Sequence, residues 1–96
     1  MALARALATA PRALLLDEPL AALDARARRE VRAFLAGELR ALAMPTVVVT
    51  HDAADVRALA QRVLVLEAGR AVQCGSWAEL VERPASPFVE ELVGSA

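Results

Sequence analysis

Two acidic residues, Asp17 and Glu18, close a short apolar run, and one imidazole, His51, stands between Thr50 and Asp52 at the end of a second such run. Carboxylates near a histidine can hold a metal, move protons or polarise water. Adjacent residues leaving a strand point in different directions, so Asp17 and Glu18 are poorly placed as the facing acid and base of a glycosidase. They suit a division of labour instead. One carboxylate can hold magnesium, usually through water, while its neighbour polarises an attacking water. In-line phosphoryl transfer needs both, together with a donor near the transferred phosphate, a role open to a neutral or protonated His51.

The surrounding sequence contains the elements that would bring these groups together. Ala13 to Asp17 is a continuous apolar run closed by acids and Pro19, the pattern of a strand buried on both faces of a parallel sheet. From Asp24, a fitting N-cap, Val31, Phe34, Leu35, Leu39 and Leu42 recur at helical spacing, with Arg28, Arg29, Arg32 and Arg40 on the other face. Gly37 lies inside this helix at a cost of about 1 kcal/mol relative to Ala, and Met44-Pro45 ends it. Thr46 to Thr50 is β-branched throughout and reads as a second buried strand. Strand, helix and strand at this spacing form a βαβ unit with parallel strands. Parallel strands end at one edge, the edge where open α/β sheets bind ligands. Asp17 and Glu18 should therefore meet Thr50, His51 and Asp52. Taken singly, the acids could form a simple turn and the histidine could be merely solvated; their shared edge is what favours a site.

The flanking segments extend the same α/β pattern. Ala2 to Thr9 favours helix without an N-cap and stops before Pro11, as though the chain opened inside an element. A helix from about Ala53 to Gln61 leads to a strand, Val63 to Glu67. Ala68-Gly69 then turns the chain into a hairpin partner, Ala71 to Cys74. Ser76-Trp77-Ala78-Glu79 has the form of a capping box for a helix reaching about Arg83. Ser86-Pro87 can start a last helix carrying Phe88, Val89, Leu92 and Val93. No repeat, low-complexity segment or linker divides the chain, so residues 1–96 read as one domain or part of one.

Composition narrows the classes. A chain of 96 residues that is 57% hydrophobic, with mean hydropathy +0.41, holds more apolar surface than so small a domain can bury alone, which suggests a missing partner surface. No apolar run reaches the ~18 residues a membrane helix needs, and no signal peptide is laid out, so a cytosolic location is expected. The formal net charge is −1 with arginines scattered, which gives no nucleic-acid face. The single Cys74 excludes an internal disulfide and reads as a small buried apolar residue. All eleven basic residues are Arg, so these residues contain no phosphate loop of the form G-x-x-x-x-G-K-[ST].

The motifs resemble those of ATP-binding-cassette ATPases. Leu14-Leu15-Leu16-Asp17-Glu18-Pro19 is similar to the family's Walker B motif, Leu20-Ala21-Ala22-Leu23-Asp24 to its D-loop, and Val47-Val48-Val49-Thr50-His51-Asp52 to its switch-histidine segment. Ala2 to Leu7 resembles the helix that follows the signature motif, and Val63 to Gly75 the closing hairpin. The resemblance covers essentially the whole chain and implies part of a P-loop NTPase-like α/β fold: parallel strands with crossover helices, then a C-terminal β-hairpin and short helices. It implies ATP and magnesium as cofactors. Asp17 would support magnesium through water, Glu18 would be the general base, His51 would sense the γ-phosphate, and Asp24 would communicate across a nucleotide-sandwich dimer.

Implied partners are a membrane permease subunit and a second ATPase domain, with no nucleic acid, at the inner face of the cell membrane. The leucine, proline and tail pattern, with Arg83-Pro84-Ala85-Ser86-Pro87-Phe88-Val89, resembles bacterial importers most. Walker A, glutamine loop and signature motif are lacking, so the chain resembles the C-terminal half of such an ATPase and is expected neither to bind ATP tightly nor to hydrolyse it alone. Two alternatives are a non-enzymatic module docking on another cassette or permease, and a fragment of a DNA-maintenance ATPase sharing Walker B and the D-loop. Pro19 and Thr50-His51-Asp52 favour the transporter branch.

Overall fold

The computed structural model describes residues 13–96, which fall into two compact units divided between His51 and Asp52. The helix expected over Ala2 to Thr9 lies outside the described residues.

In the first unit, β1 (Leu14–Asp17) pairs in parallel with β2 (Thr46–Val49), and α1 (Ala25–Ala41) connects them. The register sets Leu14 against Thr46 and Asp17 against Val49. Backbone bonds extend the ladder at both ends: Leu14 N donates to Pro45 O at 3.0 Å and Glu18 N to Val49 O at 2.7 Å. The expected βαβ unit is thus present. Asp24 caps α1 by accepting from Ala27 N at 2.8 Å. The helix stops at Leu42, three residues before Pro45 and slightly earlier than expected, with the Leu42 N–H closing back on Glu38 and Leu39 carbonyls.

Burial corrects two expectations. Leu14 and Leu16 are fully buried, but Leu15 and Val47 are each 59% exposed and Val49 is exposed too, so the strands alternate. One crossover helix can cover only one face of two strands, and α1 is the only described helix of this unit. Along α1, Leu35 and Ala36 are buried and Leu39 and Leu42 half-buried, whereas Val31 and Phe34 are exposed, Phe34 by 68%. Leu35, Leu39 and Leu42 share one stripe at i, i+4 and i+7; Phe34, one residue before Leu35, is rotated about 100° away from it.

The second unit begins with α2 (Ala53–Leu59), capped by Asp52, whose carboxylate accepts from Asp55 N at 3.0 Å. Strands β3 (Val63–Glu67) and β4 (Arg70–Gly75) form an antiparallel hairpin. Its two-residue turn places Ala68 at φ 49° and Gly69 at φ 76°. Two left-handed residues in succession match the right-handed twist of a tight hairpin, and glycine takes that conformation without strain. A bulge after Val65 shifts the register. α3 (Trp77–Glu82) and α4 (Pro87–Gly94) follow.

Both helix starts are as the sequence indicates. Glu79 N donates to Ser76 Oγ at 3.1 Å and Ser76 N to Glu79 Oε1 at 3.2 Å, completing the capping box. Pro87 occupies the first turn of α4 behind the cap Ser86. Val63, Val65, Leu80 and Val89 form the core of this unit, flanked by Val56, Ala60, Val72, Leu92 and Val93. Cys74 is exposed rather than buried: it shares the outer face of the hairpin with its register partner Leu64, also exposed, and its sulfur lies 3.6 Å from Arg62 Nη2.

Candidate active-site edge

The site grows out of the β1 terminus. Four ladder positions carry the chain to Asp17, and at Glu18 the backbone turns sharply, with φ 47°. A non-glycine residue in the left-handed region costs roughly 1 kcal/mol or more, and a following proline ordinarily pushes its neighbour toward extended conformations. Such strain persists where the surroundings over-determine it. Here the Glu18 N–H is bonded to Val49 O, its carbonyl accepts from Ala21 N at 3.3 Å, and Leu20 is fully buried two residues on.

The turn aims the Glu18 carboxylate at the end of the other strand. Oε1 of Glu18 and Nδ1 of His51 are 2.7 Å apart, although 33 positions separate the residues in sequence. An ionised carboxylate only accepts, so Nδ1 carries the shared hydrogen. Nε2 is then an acceptor in neutral imidazole and a donor in imidazolium. The His51 side chain is 87% exposed and that of Glu18 32%, so the pair faces outward from the sheet edge. An exposed pair of this kind contributes at most about 1 kcal/mol to stability, too little to account for the strained turn that forms it.

The other residues singled out from sequence are placed separately. Asp17 is exposed at the last position of β1, opposite Val49. Asp24 is the α1 cap, and Thr50 is half-buried beyond β2. Asp52, expected on the same rim, caps α2 in the second unit. Among the described residues no three His, Cys, Asp or Glu side chains gather into a metal cage. Asp17 nevertheless fits a magnesium ion that takes one protein carboxylate and completes its shell with water and phosphate oxygens.

Arg28, expected on the polar face of α1, is instead half-buried, and its Nε donates to Leu20 O at 3.2 Å. The signal was available: Arg28 lies seven residues, two turns, before Leu35, on the buried stripe.

No protein-family model matches the chain. Over all 96 residues it is 54% identical to a sulfate/thiosulfate import ATP-binding protein of Chromobacterium violaceum and 47% identical to one of Rhodopseudomonas palustris, covering 26% and 28% of those proteins. A third such protein, from Xylella fastidiosa, is 50% identical over 99% of the chain and 27% of its own length. The chain spans about a quarter of the length of each of these three relatives. It is therefore homologous, over its whole length, to a segment of the ATP-binding subunits of ABC importers.

Proposed function

We propose that this chain supplies the magnesium-and-water end of an ATP site in an ABC importer ATPase, within a partial P-loop NTPase-like domain spanning residues 1–96. The Glu18–His51 contact at 2.7 Å supports this reading most directly. It puts a carboxylate and an imidazole together at the carboxyl ends of parallel strands, the edge at which open α/β sheets take ligands.

Glu18 is the general base: one carboxylate oxygen is engaged by His51, and Oε2 is the atom assigned to the attacking water. His51 steadies that carboxylate through Nδ1 and meets a γ-phosphate oxygen through Nε2 when that nitrogen carries hydrogen. Asp17 is the carboxylate that holds magnesium through water. When bound there, magnesium would neutralise charge on the phosphates. Asp24, already committed to capping α1, faces a second ATPase domain in a nucleotide-sandwich dimer. Docking on a membrane permease at the cytoplasmic face completes the assembly; among the described residues no helix is long and apolar enough to cross a membrane. Sulfate or thiosulfate, in the names of the relatives, is the first cargo to test.

Positioning provides most of the catalysis in phosphoryl transfer, and these residues contain no Lys and hence no phosphate loop of the usual form. The 96 residues are accordingly expected to be inactive without a partner that supplies the loop. The test is to mix the pure chain with a fragment of a relative bearing the phosphate loop and signature motif, then follow magnesium-dependent phosphate release. Release from the mixture and none from either part supports the reading; silence from a mixture shown to associate overturns it.

A further inference from the structure

We propose that Arg28 is a positioning residue for Glu18, acting through the carbonyl of Leu20. The inference concerns geometry first, and its catalytic consequence rests on the reading of Glu18 as general base. The left-handed backbone of Glu18, just before a proline, is a conformation its own sequence disfavours. Something outside the residue must hold it.

Only Pro19 separates Glu18 from Leu20, and its ring fixes one of the dihedrals between them, so the placement of Leu20 limits the backbone conformations open to Glu18. Leu20 is fixed in two ways. Its side chain is 1% exposed, and its carbonyl accepts from both Arg28 Nε at 3.2 Å and Leu23 N at 3.2 Å. Leu23 belongs to the same loop and would move with it. Arg28 belongs to α1, a 17-residue helix whose N-terminus is capped by Asp24, and so ties the loop to a rigid element. An arginine also suits the position chemically: its aliphatic stem lies along the buried stripe while a directional N–H reaches the carbonyl. Loss of the tie should let the loop relax toward the extended backbone favoured before proline, which withdraws Glu18 Oε1 from His51.

Nuclear magnetic resonance on the full 96-residue chain tests this without nucleotide, so its failure would leave the ATPase reading standing, and failure of that reading would leave this one standing. The ¹⁵N shifts of the His51 ring report which nitrogen carries hydrogen. The parent should show the Nδ1–H form and Glu18→Ala should lose it. Arg28→Met, similar in length but without a donor, should move His51 at least half of the way to the Glu18→Ala values, and Arg28→Lys, whose amine can still reach the carbonyl, should restore most of the parent signature. A purely structural arginine would lower the unfolding midpoint in Arg28→Met yet leave the His51 ring as in the parent; that result overturns the proposal. A second measurement needs no variant: the Arg28 Nε–H of the parent should exchange about fivefold or more slowly than that of exposed Arg29, as a typical hydrogen bond implies. Equal exchange of the two would also overturn it.

Discussion

Glu18 and His51 meet across 33 positions of sequence because β1 and β2 run in parallel and end in register, Asp17 opposite Val49, so that the next residue of one strand can reach two residues beyond the other. The contact depends on the left-handed turn at Glu18 as much as on the sheet. With the nucleotide-gripping loop supplied by a complementing fragment, His51→Ala should lower phosphate release about 100-fold, the usual scale for losing one donor to a developing charge. Steady-state phosphate assays of the two mixtures check it, with nucleotide affinity changed far less than turnover.

The capping box makes the second unit sensitive to acid. Hydrogen bonds from the Ser76 backbone and then the Ser76 hydroxyl hold the Glu79 carboxyl below its ordinary value of 4.5. A carboxyl depressed in the folded state contributes stability that is complete above the unfolded value and lost as pH falls through the folded one. Urea unfolding followed by Trp77 fluorescence should therefore show stability declining below about pH 4.5, and Glu79→Gln should flatten that decline. Ser76→Ala should cost about 1 kcal/mol at neutral pH as well.

Two side chains of similar hydrophobicity should behave in opposite ways. Leu80 is fully buried in the hairpin core, and Leu80→Ala should cost about 2–5 kcal/mol in urea unfolding. Phe34→Ala, at an exposed position of α1, should change stability by less than about 0.5 kcal/mol. A large loss at Phe34 would mean that α1 is turned as its sequence first suggests, with Phe34 inward.

Gln73 fastens the segment between α3 and α4 to the hairpin. Its Nε2 donates to Arg83 O at 2.9 Å and its Oε1 accepts from Ala85 N at 2.9 Å, while Ser86 Oγ donates to Glu67 Oε2 at 2.7 Å nearby in sequence. Gln73→Glu keeps the acceptor, loses the donor and sets a negative charge against the Arg83 carbonyl. Amide exchange at Ala85 should rise about tenfold in Gln73→Ala, and Gln73→Glu should also lose stability at neutral pH and regain part of it when acidified, as the carboxyl becomes a donor again.

The sequence made the local and periodic features legible. The parallel pair follows from two apolar runs with a helix between, the caps from Asp24, Ser76 and Ser86, and the meeting of Glu18 with His51 from the common edge of parallel strands. What it hid is of another kind. The turn at Glu18 runs against the rule for a residue before proline, because long-range constraints outweigh local preference there. Exposure of Leu15 and Val47 depends on how many helices cover the sheet, which no strand pattern encodes. Gln73 joins residues ten and twelve positions away, at no structural period; the place of Arg28 on the buried stripe was legible, but not its partner Leu20, eight residues back in the loop before the helix. Cys74 is exposed although cysteine is among the most buried residue types, because it pairs with Leu64 on the outer face of the hairpin, and residue type does not encode the face.

The role of Glu18 is tested most directly in the complemented mixture. Glu18→Gln removes the charge and keeps the shape, so ATP binding should be retained while phosphate release falls about 100- to 10,000-fold, the range attributed to a general base. Release by the Glu18→Gln mixture within a few-fold of the parent, at equal ATP occupancy, would contradict the assignment of Glu18 as the base.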